Sequence, residues 1–152
     1  MGEDLKTQFE TFLDEHRELL RRSLDGLTEE QVRRRLVASK TTLLGLVKHV
    51  TFAQRIWFGE AVLGRTRAEM GLLATSDAAF DLDDSDTIAS VLAAYDAACA
   101  DARAAVAGLG VDDVVTGHRV GPQPLRWIYL HVLREIAQHC GHADILREQL
   151  LA

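Results

Sequence analysis

The sequence predicts an all-α protein, a four-helix bundle forming one domain over residues 1–152. Three observations carry that expectation. Only two of the 152 residues are proline, while the strong helix formers Ala, Leu, Arg and Glu are abundant. Apolar residues recur at spacings of three and four in four separate stretches, the period of a helix with one buried face. Between those stretches stand turn and cap signals: Asp25-Gly26, Gly64 and Gly110.

The first helix is expected over Glu3–Leu24, with Leu5, Phe9, Phe12, His16, Leu19 and Leu20 on its inner face. Asp25-Gly26 ends it. Thr28-Glu-Glu-Gln31 has the form of a capping box and opens a short helix, Glu29–Arg35. The Arg33-Arg34-Arg35 run reads as a solvated face rather than an anion site. The second long helix is expected over Thr42–Leu63, with Ser39 or Thr41 as cap. Its middle, LLGLVKHVTFAQRIWF, is apolar nearly all round, as in a helix deep inside a bundle. Residues 64–84 have no clear period. They read as a short helix at Arg65–Leu72 or as a cover over a site mouth. The third long helix, Asp86–Leu109, is capped by Ser85 or Asp84 and buries Ile88, Val91, Leu92, Tyr95, Cys99, Ala102 and Val106. The fourth, Leu125–Leu151, follows Pro124, whose missing N–H costs nothing in a first turn. Its apolar face comprises Leu125, Ile128, Tyr129, Val132, Ile136, Cys140, Ala143, Leu146 and Leu150.

Composition excludes several function classes. A net charge of -6 argues against a nucleic-acid surface. No apolar run approaches the roughly 20 residues that a membrane span needs. The acidic, amphipathic start is unlike a leader, and two cysteines make no disulfide framework, so a cytoplasmic setting is expected.

The chemistry-bearing stripe is His131, Glu135, His139 and His142, spaced by four and three along one flank of the last helix. Glu135 and His139 are one turn apart, so a carboxylate oxygen and an imidazole nitrogen can converge on one ion. His49, on the buried second helix, can complete a set of two His and one carboxylate from across the bundle, or can be a hydrogen-bonded core residue. Three protein ligands leave positions open, as in catalytic metal sites. On the helical wheel His131 lies further toward solvent, as a neighbour of the site or a surface residue. His142 reads as a fourth ligand, a base or an orienting group. Cys140 faces the apolar seam and reads as a packed thiol. His16 and His118 read as surface or loop residues. The chain lacks HExxH, GxSxG, paired Glu-x-x-His motifs and a phosphate-binding glycine loop.

At these residues the chain resembles a known group. The stretches SKTTLLGLVKHVTFAQRIWF (39–58) and LRWIYLHVLREIAQHCGHADILRE (125–148) are similar to the two signature helices of the DinB/YfiT-like superfamily, and AFDLDDSDTI (79–88) is similar to one branch of it. The nearer likeness is to its mini-circle protein branch, related to the N-terminal domain of mycothiol-dependent maleylpyruvate isomerase. The resemblance implies an up-down-down-up bundle and a divalent metal, zinc or nickel. Carried over residue by residue, its ligands are His49, Glu135 and His139. Where many members have His-x-x-x-His, this chain has the carboxylate variant Glu135-Ile-Ala-Gln-His139, and His142 stands where many have Gln. It further implies a transferase using a low-molecular-weight thiol such as mycothiol or bacillithiol, with a small electrophile as partner substrate and homodimerisation through a helical face. Those isomerases have a second, C-terminal domain, whereas this chain runs to Ala152 directly after the last helix, so isomerisation is not expected. Two other readings stand beside the transferase: a non-catalytic bundle that binds a ligand or partner protein, and a hydrolase using metal-activated water.

Overall fold

The computed structural model describes residues 4–72 and 75–152. Their secondary structure is helical apart from one two-stranded ribbon. In chain order it comprises α1 (Leu5–Arg22), α2 (Glu29–Arg33), α3 (Leu43–Gln54) running on as a π-helix (Arg55–Val62), a 3₁₀ turn (Ala78–Phe80), α4 (Ile88–Val106), β1 (Val114–Val115), β2 (Gln123–Pro124) and α5 (Leu125–Leu151). The helix α1 packs on α5, α3 on α4, and α3 on α5. The last contact positions the site, because it carries residues of the second and last helices to one place. No described helix is long and apolar enough to cross a membrane.

The caps explain the boundaries. Asp4 accepts from the Thr7 N–H at the start of α1, and the expected start at Glu3 falls outside the described residues. The Thr28/Gln31 capping box opens α2, which ends at Arg33, two residues short of expectation. The cap of α3 is Thr42, one residue beyond the expected Thr41, its Oγ1 taking the Gly45 N–H at 3.0 Å. Thr87, not Ser85 or Asp84, caps α4 through a second capping box with Ser90. Gly26 and Gly64 hold φ of +73° and +68°, the left-handed stops that their positions predicted.

Burial matches expectation closely for α5, whose nine buried residues are the nine of its predicted face. On α3 every residue from Leu43 to Gln54 except Lys48 is buried. The inner face of α1 departs from expectation: Leu13, Arg17 and Leu20 are buried, while Phe12 and Leu19 are 51% and 55% exposed. Arg17 can be inside because its charge is compensated. It pairs with Asp14 at 2.9 Å and donates to Gln54 Oε1 at 2.7 Å, and its guanidinium lies over the Phe58 ring. The Arg33–Arg35 run is not merely solvated. Arg33 donates to the Asp83 and Asp86 carbonyls and so ties α2 to the chain entering α4.

Two further segments differ from the sequence reading. Residues 67–71 form turns, not a helix over Arg65–Leu72. The crossing before α5 contains the β1–β2 ribbon, with Val114 opposite Pro124 and Val115 opposite Gln123. This crossing docks on the π-helix, where the Gly117 N–H meets the Ala61 carbonyl at 3.1 Å. That bond satisfies a carbonyl that a helix end otherwise leaves without a partner.

Candidate metal centre

His49 arrives on the most buried helix and is itself only 7% exposed. Burial fixes its ring from three sides. Its Nδ1 lies 3.2 Å from the Ser76 carbonyl oxygen, which can only accept, so Nδ1 donates there and Nε2 is the ring nitrogen turned to Glu135. The Phe80 ring stacks on it at 4.3 Å and 14°. Both contacts come from the 75–80 stretch, which therefore does cover the site. The His139 ring stands edge-on to His49 at 4.8 Å and 79°.

Across the α3–α5 contact, Glu135 Oε2 lies 3.8 Å from His49 Nε2. The donor atoms of His49, Glu135 and His139 all fall within 4.8 Å of one another, and they are the group with that property among the described residues. Their protonation suits a cation. The adjoining His49 imidazole, more than burial opposes it, holds the Glu135 carboxyl below its usual range. Burial, helped by the neighbouring His49, pushes His139 down to about 4, so it is a neutral imidazole at physiological pH. Two imidazoles and one carboxylate form a donor set suited to zinc, nickel or iron rather than to calcium or magnesium. The 3.8 Å edge is close to the roughly 3.3 Å between ligands of a tetrahedral ion with bonds of ~2.0 Å. These residues fit a divalent metal.

His142 and His131 flank the triad without joining it. The Nδ1 of the exposed His142 is 3.2 Å from that of His139, so one ring donates to the other. His131 is half-buried rather than turned to solvent. Its ring lies parallel on Trp127 at 5.1 Å and tilted on Trp57 at 4.3 Å, and Arg134 donates to its Nδ1. Burial lowers its pKa.

Beside the triad opens a cavity of about 340 Å³ lined by His49, Glu135, His131, Trp57, Arg67, Thr75, Ser76, His118 and Arg119, among others. That size is at the lower end for small-molecule sites. His118, which reads as a surface or loop residue in sequence, lies tilted on Trp57 at 4.3 Å, and its Nδ1 takes the Val120 N–H, leaving any ring N–H at Nε2. Burial lowers its pKa as well. Sequence reasoning misses His118, Trp57, Phe80 and the Ser76 carbonyl as site groups. None has a local signal, since each reaches the site only through tertiary contact.

The sequence profile of mycothiol-S-transferase matches residues 8–152, nearly the whole chain. The chain belongs to the mycothiol-S-transferase family. That family sits within the DinB/YfiT-like superfamily, which the two signature helices indicate. No curated protein matches the chain. Membership supports a mycothiol S-transferase-like function and sets the triad in context: this is a family of thiol transfer, and the triad is the chain's candidate metal centre.

Proposed function

We propose that this mycothiol-S-transferase family member joins a low-molecular-weight thiol to a small electrophile, with His49, Glu135 and His139 holding zinc or nickel. The observation that carries the reading is the convergence of those three donors beside an open cavity, His49 standing 86 and 90 positions before Glu135 and His139 in sequence. When bound, a divalent ion would stabilise a thiolate at neutral pH. The chain's own residues supply the rest. Ser76 and Phe80 fix the tautomer and plane of His49. Burial keeps His139 neutral, and Glu135 stays ionised. The cavity lined by Trp57, His118 and His131 receives the substrates. In the transfer a carbon–sulfur bond forms, the leaving group departs with its electron pair, and the thiol proton goes to solvent. His142 serves to orient His139.

The same reading takes the whole chain as one domain, its long helices as an up-down-down-up four-helix bundle, and its setting as cytoplasmic. Homodimerisation is consistent with Phe12 and Leu19, exposed seven residues apart on α1.

The test uses untagged protein. Metal content, thermal stability and conjugation of mycothiol to a fluorogenic electrophile are measured for the wild type, His49→Ala and Glu135→Gln. An ion at about 100 times its Kd stabilises by about 2.7 kcal/mol, which raises Tm by roughly 5–10 °C in a domain of this size. Both variants should lose that rise together with conjugation. A wild type that carries no divalent ion, and whose Tm does not respond to added zinc or nickel, would refute the metal assignment.

A further inference from the structure

A second cavity, of about 290 Å³, lies between α3, Arg55, α4, residues 70–72 and Ala79. It is not the cavity at the triad, although Phe52 lines both. Most of its wall is apolar: Phe52, Met70, Leu72, Ala79, Val91 and Ala94. Three charged residues also line it, and two of them neutralise each other. Lys48 Nζ pairs with Asp86 Oδ2 at 2.8 Å and donates to the Asp81 carbonyl at 2.7 Å. The same Asp86 oxygen accepts the Asp83 N–H. The third is Arg55. Its guanidinium makes no hydrogen bond or ion pair with any described residue, including Asp101, which shares a neighbouring cleft with it.

Among the described residues the cavity therefore offers apolar walls and one positive charge without a partner. A half-buried cation with no partner among the described residues, set against an apolar wall, favours an anion. A guanidinium's planar fork matches a carboxylate in particular. We propose that this cavity is a second ligand site, taking a small apolar carboxylate with its acid on Arg55 and its hydrocarbon against Phe52, Met70 and Ala79. The inference goes beyond thiol transfer and needs no metal.

Titration calorimetry of the untagged full chain with octanoate tests it, with octanamide as the neutral counterpart. Octanoate should bind saturably, one per chain, and octanamide at least tenfold more weakly. Arg55→Gln should weaken octanoate at least tenfold and leave octanamide unchanged. Ala94→Phe, which adds a ring at an exposed position of α4 facing the cavity, should remove both. In amide NMR spectra octanoate should shift Ala79, Val91 and Ala94, a readout that does not depend on any variant folding. Metal-stripped protein and His49→Ala should bind octanoate as the wild type does, so failure of the metal assignment would leave this result standing. Absence of saturable binding, equal affinity for octanoate and octanamide, or NMR shifts confined to other regions would overturn the proposal.

Discussion

Replacing Gly117 by Ala should loosen the wall of the triad cavity without touching any proposed ligand. A Cβ at residue 117 would run into the Glu60 carbonyl oxygen and sit 2.9 Å from the Ala61 carbonyl oxygen. Both obstacles are main chain, held within the π-helix, so neither can rotate away. The 116–119 chain must lift instead, and the Gly117 N–H to Ala61 carbonyl bond at 3.1 Å is lost. The lost bond costs about 1 kcal/mol, and overpacking against rigid backbone about 1–3 kcal/mol more. At roughly 2–4 °C per kcal/mol for a chain of this length, Tm should fall by about 4–16 °C. His118 moves with the segment, so its 4.3 Å contact with Trp57 should open. Circular dichroism reads the melt. Tryptophan emission reads the contact, because Trp57 is one of only two tryptophans. Gly108→Ala is the control: a Cβ there meets nothing within 4 Å, so its melt should match the wild type. If Gly117→Ala melts with the wild type and leaves the emission unchanged, the docking of the ribbon on the π-helix is not what holds His118.

Three further outcomes follow from the geometry. Gly141→Ala, inside α5 with no atom within 4 Å of the new Cβ, should stabilise the protein by about 0.5–1 kcal/mol, read as a rise in Tm. Asp14 is held below its usual range because hydrogen bonds from Arg103 and Arg17 outweigh the opposing effect of burial. A lowered folded pKa stabilises above the unfolded value of about 3.9 and is lost as pH falls through the folded value. The Tm gap between wild type and Asp14→Asn should therefore be widest near neutrality and shrink below about pH 4. Burial pushes the Cys140 thiol up to about 11 and raises Cys99 too, so native protein at pH 8 should show no thiol reactive toward a disulfide reagent until it is unfolded.

How much of this was legible in sequence depends on the range of the interaction. Over its 27 residues α5 keeps one uninterrupted period, and its buried face could be read residue by residue. In α1 two apolar lines compete. The one through Phe12 and Leu19 looks like a core face, but Leu13 and Leu20 take the interior, with Arg17 between them. A buried arginine is invisible in sequence because its partners, Gln54 and Phe58, are some forty positions away. The change from α to π pitch at Arg55 has no residue signature either, and the structure offers no single side chain as its cause. At the site, the Glu135–His139 spacing was readable as a pair. His49 stood as either a ligand or a core residue on its own helix, and the resemblance, not any period, favoured the ligand. The wall built by Trp57 and His118, and the Phe80 ring stacked on His49, were beyond reach, since no local pattern links them.

The group that sets the His49 tautomer is a main-chain carbonyl, that of Ser76, rather than a side chain. Replacing the serine hydroxyl therefore leaves the oxygen in place. An alanine scan would pass over position 76 in silence, while a proline or a deletion beside it would register strongly. Selection can let the letters of that segment drift so long as its path is kept, and a search for invariant side chains would overlook one of the three contacts that hold the imidazole.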